Sequence, residues 1–247
     1  MSKLYGLVGY PLNHSFSKKY FSEKFERENI SDTLYDLFPI ESIDQLTKLI
    51  KENPDLCGLN VTIPYKEQVL KYLNEIDPFA KSIGAVNVIQ IKDGSLKGFN
   101  TDSDAFLESI EKWFPNADGS KALVLGTGGS SKAVQVALKK IKIDFQLVSR
   151  TAGLGDYTYE DLEKNAKIIR ESTLIINTTP LGMSPNNNAI PPINFEQLGS
   201  SHYVYDLIYN PARTKFLQKA EMKGATIKNG LEMLHFQAEK AWAIWNN

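Results

Sequence analysis

Residues 123–131 read Leu-Val-Leu-Gly-Thr-Gly-Gly-Ser-Ser, and this stretch decides the fold class. Its apolar start is typical of a buried strand, its glycines of a tight turn, and the residues after it of a helix. Gly126 permits the turn, Gly128 lets backbone N–H groups approach a pyrophosphate, and the helix N-terminus adds partial positive charge. An ordinary strand-to-helix turn is the simpler alternative, but the strand before it and the helix after it favour a dinucleotide-binding loop.

The second half of the chain continues the same alternation of strands and helices. Compact apolar runs and amphipathic runs predict strands at 122–125, 145–148, 174–177 and 203–208 and helices at 131–140, 159–169 and 212–223. Strands that alternate with helices form parallel sheets covered on both faces. We therefore expect an α/β domain with a Rossmann-type, doubly wound parallel sheet over residues 102–230.

The first hundred residues predict a separate α/β domain. Short β-like runs and helical runs predict strands at 4–8, 33–38, 56–61 and 86–91 and helices at 17–28 and 42–52. Asp93-Gly94 between two β-like runs predicts a hairpin turn. We expect this domain to span residues 1–101, to be completed by a C-terminal helix at 231–247, and to face the second domain across a cleft.

The end of the second strand of the Rossmann-type domain indicates which dinucleotide binds. A carboxylate usually stands there when the ribose carries a free 2′-hydroxyl group. This strand instead ends in Ser149, Arg150 and Thr151, and no acid follows before Asp156. A guanidinium group can bind a 2′-phosphate through paired, charge-assisted hydrogen bonds, and the neighbouring hydroxyls can add to them. A solvated surface arginine is the alternative, but the strand-end position favours NADP(H) over NAD.

Composition limits the partners and the compartment. The formal net charge of the 247 residues is −1, so no general attraction to nucleic acid or anionic membranes is expected. The N-terminal residues lack the layout of a signal peptide, and no apolar run is long enough for a membrane span. Cys57 is the single cysteine, which fits a reducing compartment. We expect a soluble cytoplasmic protein that is either a monomer or a homodimer.

The first domain carries polar residues that its fold does not require. Ser15 and Ser17 stand at the start of a predicted helix, where one of them could simply cap the helix. Lys66 stands where a predicted strand ends and a predicted helix begins, in Asn-Val-Thr-Ile-Pro-Tyr-Lys at 60–66, although a lone lysine is usually a solvated surface group. Asn87 and Asp102 also follow or precede β-like runs. Polar side chains at strand ends that face a nucleotide domain are typical of a substrate site.

These motifs, taken in order, resemble those of the shikimate dehydrogenase family over nearly the whole chain. The resemblance rests on the Ser15/Ser17 pair, the motifs at 60–66, 84–87 (Gly-Ala-Val-Asn), 98–102 (Gly-Phe-Asn-Thr-Asp), the glycine loop, Ser149-Arg150-Thr151, 177–183 (Asn-Thr-Thr-Pro-Leu-Gly-Met), 209–211 (Tyr-Asn-Pro), and Asn-Gly-Leu-Glu-Met-Leu at 229–234 with Gln237. The chain departs from the family pattern at Lys18, where proline is usual, at Leu154, where a basic residue often stands, and in a short segment after Thr151.

The resemblance implies an enzyme that reduces 3-dehydroshikimate to shikimate with NADPH, in the shikimate pathway of aromatic amino-acid biosynthesis. It implies that Lys66 and Asp102 form the catalytic pair. The other implied substrate-binding residues are Ser15, Ser17, Thr62, Asn87, Tyr209 and Gln237. The implied cofactor-binding residues are Gly126, Thr127, Gly128, Gly129, Ser130, Ser149, Arg150, Thr151, Leu207 and Gly230. No metal is expected, because His14, His202 and His235 lack the spacing of ligands.

Other functions stay open at this point. A quinate/shikimate dehydrogenase with relaxed use of NAD and NADP is the nearest alternative, and an acid in place of Arg150 would favour it. A non-catalytic nucleotide-binding or regulatory protein would be expected to lose the pair formed by Lys66 and Asp102, yet both residues are present. Another Rossmann enzyme, such as a folate dehydrogenase, fits the second half of the chain but leaves Ser15 and Ser17 unexplained.

Overall fold

The computed structural model describes residues 3–12, 16–114 and 119–247. The chain forms two compact units. The first comprises residues 1–101 together with 238–247, and the second comprises residues 102–237. Each unit contains one six-stranded sheet among the described residues.

The sheet of the first unit is mixed. Its strands are β1 (Lys3–Gly9), β2 (Thr33–Pro39), β3 (Leu56–Val61), β4 (Glu75–Ile76), β5 (Val88–Lys92) and β6 (Ser95–Phe99). They lie in the order β2-β1-β3-β5-β6-β4. β1 runs parallel to β2 and β3, whereas β5 is antiparallel to both β3 and β6. The start of β5 therefore lies beside the ends of β3 and β6.

Helices cover both faces of this sheet. They are α1 (Phe16–Arg27), α2 (Leu46–Glu52), α3 (Pro78–Ile83) and the last turns of α9 (Leu231–Trp245). One face packs its apolar side chains against Leu46 of α2 and Ala80 of α3. The other packs against Phe21 and Phe25 of α1 and against Trp245. Alternate residues of β1 enter the two clusters, as the two-residue period of a strand requires.

The sheet of the second unit is entirely parallel. Its strands are β7 (Lys121–Leu125), β8 (Asp144–Ser149), β9 (Tyr157–Thr158), β10 (Leu174–Asn177), β11 (Tyr203–Asp206) and β12 (Thr226–Asn229). They lie in the order β12-β11-β10-β7-β8-β9. The order reverses between β7 and β10, and in open α/β sheets such a reversal marks the crevice where ligands bind.

The helices of the second unit lie on both sides of its sheet. They are α4 (Asp102–Glu111), α5 (Gly129–Lys140), α6 (Tyr159–Lys164), α7 (Lys167–Arg170), α8 (Lys215–Met222) and the start of α9. Val124 packs into the cluster formed with α4 and α5, whereas its neighbour Leu123 packs into the cluster formed with α6, α7 and α8. The predicted fold class, an α/β chain with a doubly wound parallel sheet in its second half, is confirmed.

Three predicted helices differ from those in the structure. The helix expected at 159–169 is two short helices, because Asn165 leaves the helical conformation at φ −130° between α6 and α7. The helix expected at 42–52 begins as a 3₁₀ turn at Ile43–Gln45, capped by Ser42. Lys66 precedes a 3₁₀ helix at Gln68–Tyr72 rather than starting an α-helix. Across residues 3–12, 16–114 and 119–247, the helices are all too short or too polar to span a bilayer.

Candidate active site

Backbone hydrogen bonds join the ends of four strands at the carboxyl edge of the parallel sheet. Each bond runs from the first residue after one strand to the last residue, or last but one, of its neighbour. They are Leu207 N–H to Asn177 O at 3.0 Å, Thr178 N–H to Leu125 O at 2.9 Å, and Gly126 N–H to Val148 O at 2.9 Å. The loops that follow β11, β10, β7 and β8 consequently start from fixed positions along one edge.

The glycine-rich turn lies at the reversal point of the sheet. Gly126 has a φ of +110°, and a Cβ atom there would lie 2.7 Å from Oγ1 of Thr178. Only glycine combines that conformation with that approach. Gly128 is the N-cap of α5, and a Cβ atom at this position would meet nothing within 4 Å. The open N-terminus of α5 therefore fits a pyrophosphate, because backbone N–H groups and the helix dipole at this end of a helix attract anions.

Ser131 takes the third position of the glycine pattern. Its side chain is fully buried, and its Oγ accepts a hydrogen bond from Nε2 of Gln135 at 3.2 Å. A small residue here lets α5 pack closely on the sheet, as the third glycine does in the usual pattern.

The end of β8 presents a cation without a neighbouring acid. Ser149 is buried, and its Oγ accepts the N–H of Thr151 at 3.1 Å, while Arg150 is exposed. The first acid after Arg150 in the sequence, Asp156, accepts the N–H of Leu147 at 2.7 Å and so binds the backbone of β8. This arrangement can bind a phosphate group and would repel no part of it.

Tyr159, at the start of α6, lies within the electrostatic influence of Arg150. Burial raises the pKa of the Tyr159 hydroxyl to about 12, and the positive charge of Arg150 acts in the opposite direction. The tyrosine is therefore neutral at physiological pH and adds no negative charge beside the guanidinium group.

Gly230 and Leu207 approach each other at the ends of β11 and β12. A Cβ atom on Gly230 would lie 2.0 Å from the carbonyl oxygen of Leu207, so no other residue fits without moving that backbone. The N–H of Gly230 donates to Ile208 O at 3.1 Å. Tyr209 follows in the same loop and is half-buried.

Asp206 was assigned no role from the sequence, yet it lies at this edge, as the last residue of β11. Its carboxylate is fully buried and accepts hydrogen bonds from the side chains of Asn177 and Thr214 and from the backbone N–H of Ile208. The available signal was an acid inside the apolar run 203–208. Burial raises the pKa of this carboxyl group to about 6, and the three hydrogen bonds limit the rise.

In the first unit, predicted substrate-binding residues meet at one edge of the mixed sheet. Thr62 follows β3, and its N–H donates to Val8 O at 2.9 Å. Asn87 precedes β5 and is buried. Its Nδ2 donates to Oγ1 of Thr101 at 2.9 Å, and its Oδ1 accepts the N–H of Thr101 at 2.8 Å. Thr101, which was not predicted as a site residue, thus fixes the orientation of the Asn87 amide.

The remaining predicted residues lie as follows. Lys66 is half-buried in the loop after β3, and its carbonyl oxygen accepts the N–H of Val86 at 2.8 Å. Ser17 is buried in α1, and Asp102 is buried at the first position of α4. Gln237 is half-buried on α9, where its Nε2 donates to Leu234 O at 3.1 Å.

The functional roles of these residues stay predictions. Ser15 lies outside the described residues. Lys66 belongs to the first unit and Asp102 to the second, and their pairing stays a prediction. The cofactor-binding and substrate-binding roles also stay predictions, although the second unit brings Gly126, Ser149, Leu207 and Gly230 to one sheet edge. Among the residues that the structure describes, no group of three or more His, Cys, Asp or Glu side chains could hold a metal ion.

Comparisons with known proteins agree with this arrangement. The family model of the shikimate dehydrogenase substrate binding domain matches residues 7–89. A shikimate dehydrogenase (NADP(+)) of Carboxydothermus hydrogenoformans is 37% identical over 257 residues, covering 99% of this chain and 91% of that protein. The crystal structure of shikimate dehydrogenase 1 from Peptoclostridium difficile is 35% identical with a TM-score of 0.87, covering 99% of this chain and 91% of that one.

A third relative carries ligands. The Thermus thermophilus shikimate 5-dehydrogenase, crystallised in complex with NADP(H) and shikimate, is 30% identical with a TM-score of 0.85. The match covers 98% of this chain and 93% of that one. Sequence and structure agree over the full length of the chain, and the chain belongs to the shikimate dehydrogenase family of NADP-dependent oxidoreductases.

Proposed function

We propose that this chain catalyses the reversible, NADPH-dependent reduction of 3-dehydroshikimate to shikimate. The observation that carries the proposal is the hydrogen-bonded edge of the parallel sheet. Along this edge the glycine turn lies between the loop after β8 and the loop after β10, and the loop that starts at Leu207 lies one strand further along. The full-length similarity to NADP-dependent shikimate dehydrogenases supports the same conclusion.

The second unit supplies the proposed cofactor site. The N–H groups of residues 126–130 and the N-terminus of α5 bind the pyrophosphate. Arg150 binds the 2′-phosphate, with hydroxyl groups from Ser149 and Thr151. Leu207 and Gly230 would contact the nicotinamide, and the chemistry that this group would supply when bound is hydride transfer to the carbonyl carbon of the substrate.

The substrate site combines residues from both halves of the sequence. Hydroxyl and amide groups bind the hydroxyls and the carboxylate of the substrate, because each can donate or accept a hydrogen bond. The residues proposed for this role are Ser15, Ser17, Thr62, Asn87, Tyr209 and Gln237. The buried Asn87 amide, held by Thr101, supports this proposal, since a fixed amide orientation favours one ligand pose.

Lys66 and Asp102 are proposed as the acid–base pair. The ammonium group of Lys66 protonates the carbonyl oxygen as the carbonyl carbon is reduced, and neutral Lys66 removes the hydroxyl proton in the reverse direction. Asp102 orients the ammonium group and binds the same substrate hydroxyl. The burial of Asp102 at the start of α4 supports this role, because burial strengthens its interactions with nearby charges.

Relaxed cofactor or substrate use is the second candidate. Leu154, where a basic residue would strengthen the 2′-phosphate site, is 61% exposed, and its apolar side chain cannot donate a hydrogen bond to a phosphate. A Listeria monocytogenes shikimate 5-dehydrogenase that is 27% identical was crystallised with shikimate and NAD. Against this second candidate, Arg150 favours NADP(H), and the end of β8 at Ser149-Arg150-Thr151 carries no carboxylate that would favour NAD. We further propose a cytoplasmic enzyme, either monomeric or homodimeric.

The direct test measures NADPH oxidation with 3-dehydroshikimate, using purified protein without added metal. Initial rates with shikimate and quinate, each with NADP(+) and NAD(+), distinguish the two candidates. We expect the highest kcat/KM with shikimate and NADP(+). A kcat/KM that is equal for both nicotinamides, or higher with quinate, would favour the second candidate. No turnover with any of the four combinations would contradict both.

The role of Lys66 is tested by Lys66→Ala in the same assay. Since general acid–base groups contribute about 10²- to 10⁴-fold, kcat should fall by that order while the KM for shikimate changes little. Lys71→Ala is the matched control, because Lys71 is an exposed lysine in the neighbouring 3₁₀ helix and should leave both constants unchanged. If Lys66→Ala raised only the KM, Lys66 would be a binding residue.

A further inference from the structure

Asp206 is a buried carboxylate at the carboxyl edge of the parallel sheet in the second unit, where it accepts hydrogen bonds from neighbouring segments. It is the last residue of β11 and is fully buried. Oδ1 accepts hydrogen bonds from Nδ2 of Asn177 at 3.0 Å and from the N–H of Ile208 at 3.1 Å. Oδ2 accepts the hydroxyl proton of Thr214 at 2.6 Å. A buried carboxylate with donors on both oxygens is fixed in orientation.

The three donors belong to three different parts of the unit. Asn177 ends β10, Ile208 lies in the loop after β11, and Thr214 is the N-cap of α8, where its Oγ1 accepts the N–H of Leu217 at 3.3 Å. The carboxylate of Asp206 therefore fixes both ends of the segment 207–214, at Ile208 and at Thr214. It also fixes the end of the neighbouring strand.

The segment held in this way carries two of the proposed contacts with the ligands, Leu207 and Tyr209. Asn177 extends the same network to the next loop. Its Oδ1 accepts both the N–H and the hydroxyl of Thr179, at 3.0 Å and 2.7 Å. The neighbouring Thr178 lies against the glycine turn at Gly126. A shift of Asp206 would thus move both the loop that carries Leu207 and Tyr209 and the loop that lies against the glycine turn.

We propose that Asp206 is a positioning residue that sets the affinity for the nicotinamide cofactor by fixing the loop 207–214 and the loop after β10. It acts through Leu207, Tyr209 and the Thr178–Thr179 turn, and touches no reacting atom itself. The inference rests on the proposed function for the identity of the ligands. Its physical basis is that displacing a binding loop by a fraction of an ångström weakens every contact that the loop makes.

A carboxylate suits this position better than an amide. Asn in place of Asp206 can keep one oxygen for Asn177 and Ile208, but its NH₂ group then points at Thr214. The Thr214 oxygen must accept from both that amide and the N–H of Leu217, which leaves its own proton without the Asp206 acceptor. Asp206→Asn thus keeps the size of the side chain and changes only the hydrogen bonding.

The test compares Asp206→Asn with Val204→Ala, measuring the dissociation constant for NADPH by fluorescence and the kinetic constants with 3-dehydroshikimate. Val204 is fully buried on the same strand and makes only apolar contacts in the core cluster, so its truncation destabilises β11 without touching the network. For Asp206→Asn we expect the NADPH dissociation constant to rise about tenfold, while kcat at saturation stays within about threefold of wild type. Val204→Ala should lower the melting temperature and leave both constants near wild type.

A pair of substitutions at Thr214 tests the network directly. Thr214→Ser keeps the hydroxyl and should retain NADPH affinity, whereas Thr214→Val should weaken it. The effects of Asp206→Asn and Thr214→Val should not add in the double variant, because both break the same hydrogen bond.

Unchanged NADPH affinity in Asp206→Asn, or an equal loss of affinity in Val204→Ala, would overturn the positioning role. The binding measurement separates this inference from the proposed function. A wild-type chain that binds NADPH but does not reduce 3-dehydroshikimate would contradict the proposed function, while the NADPH dissociation constants of the variants still decide the role of Asp206. A wild-type chain that does not bind NADPH would overturn both.

Discussion

Burial changes the acidity of the Asp206 side chain more than its three hydrogen bonds do. The pKa of this carboxyl group rises from an ordinary 3.8 to about 6, with burial as the largest cause. The hydrogen bonds from Thr214, Ile208 and Asn177 favour the charged form and act against the rise. The folded protein therefore holds a proton between about pH 4 and 6 that the unfolded chain has released.

The sign of the resulting pH dependence follows from this difference. Because the folded state binds the extra proton, stability falls as the pH rises from about 4 to about 6 and is constant above that range. A difference of about two pH units at about 1.4 kcal/mol per unit corresponds to about 3 kcal/mol. We expect the free energy of unfolding of wild type, relative to Asp206→Asn, to decrease by this order over that interval.

Urea unfolding of both proteins between pH 4 and pH 7 measures this difference. Taking the difference between wild type and Asp206→Asn cancels the other carboxyl groups, which titrate alike in both. A difference that is flat across the interval would show that the pKa of Asp206 is close to its ordinary value in the folded state.

Residues of the glycine turn could be predicted from the sequence, whereas the role of Asp206 could not. Gly126 and Gly128 belong to a local pattern of turn and helix whose chemistry depends on neighbours in the sequence. The partners of Asp206 lie as far away as Asn177, which is 29 positions earlier in the chain. A single acid in an apolar run indicates burial but not which donors surround it.

Among the secondary-structure elements, the last turns of α9 are packed on the sheet of the first unit through Trp245. Trp245 is buried, its Nε1 donates to Ile89 O at 3.0 Å, and its ring stacks on Tyr5 at a centroid distance of 4.8 Å. β3 accepts this ring only because residue 58 is glycine. A Cβ atom on Gly58 would lie 2.3 Å from Nε1 of Trp245.

Gly58→Ala should therefore destabilise the protein. The added methyl group must displace Trp245, which strains the packing of α9 on β3 and lengthens the hydrogen bond to Ile89. Overpacking of this kind costs about 1–3 kcal/mol, and the melting temperature should fall accordingly. Gly199→Ala is the matched control, because a Cβ atom there meets nothing within 4 Å. Equal melting temperatures of the two variants would mean that Trp245 moves aside without cost.

Long, periodic elements were predicted more accurately than short ones. The helix Leu231–Trp245 begins at the predicted residue and ends two residues before the expected bound of 247. The hairpin at Asp93-Gly94 is present, with φ values of 49° and 76°. The two-residue strands β4 and β9 were not predicted, since two residues carry no periodicity. Their place is decided by pairing with β6 and β8, which is a property of the sheet rather than of the local sequence.

At the scale of the whole chain, the presence of two sheets is easier to predict from the sequence than a site composed of residues from both units. The alternation of strands and helices predicts two α/β sheets, because each sheet must bury its own apolar faces. Periodicity carries no information on the proposed pairing of Lys66 with Asp102, because the two residues belong to separate units. For those residues, the family resemblance supplied the expectation.

The division into two units also predicts which part of the chain NADPH protects from hydrogen exchange. NADPH binds the folded second unit under the proposed function, so it stabilises that unit by mass action, by about 2.7 kcal/mol at a hundredfold excess over the dissociation constant. In hydrogen exchange followed by mass spectrometry, peptides covering 126–131, 149–151 and 207–214 should therefore exchange more slowly with NADPH alone. Peptides covering β1, β2 and β5 should be unaffected.

Arg150→Ala serves as the control for this experiment, because it removes the proposed 2′-phosphate contact and leaves the glycine turn intact. At the same NADPH concentration the variant should show weaker protection of the same three regions, and NADH should protect wild type and variant alike. Protection spread evenly over residues 3–101 would contradict the assignment of the cofactor to the second unit. If NADPH slowed exchange in the glycine turn but not in residues 207–214, the pyrophosphate would bind without contacting the loop that Asp206 fixes. Leu207 would then be excluded from the cofactor site.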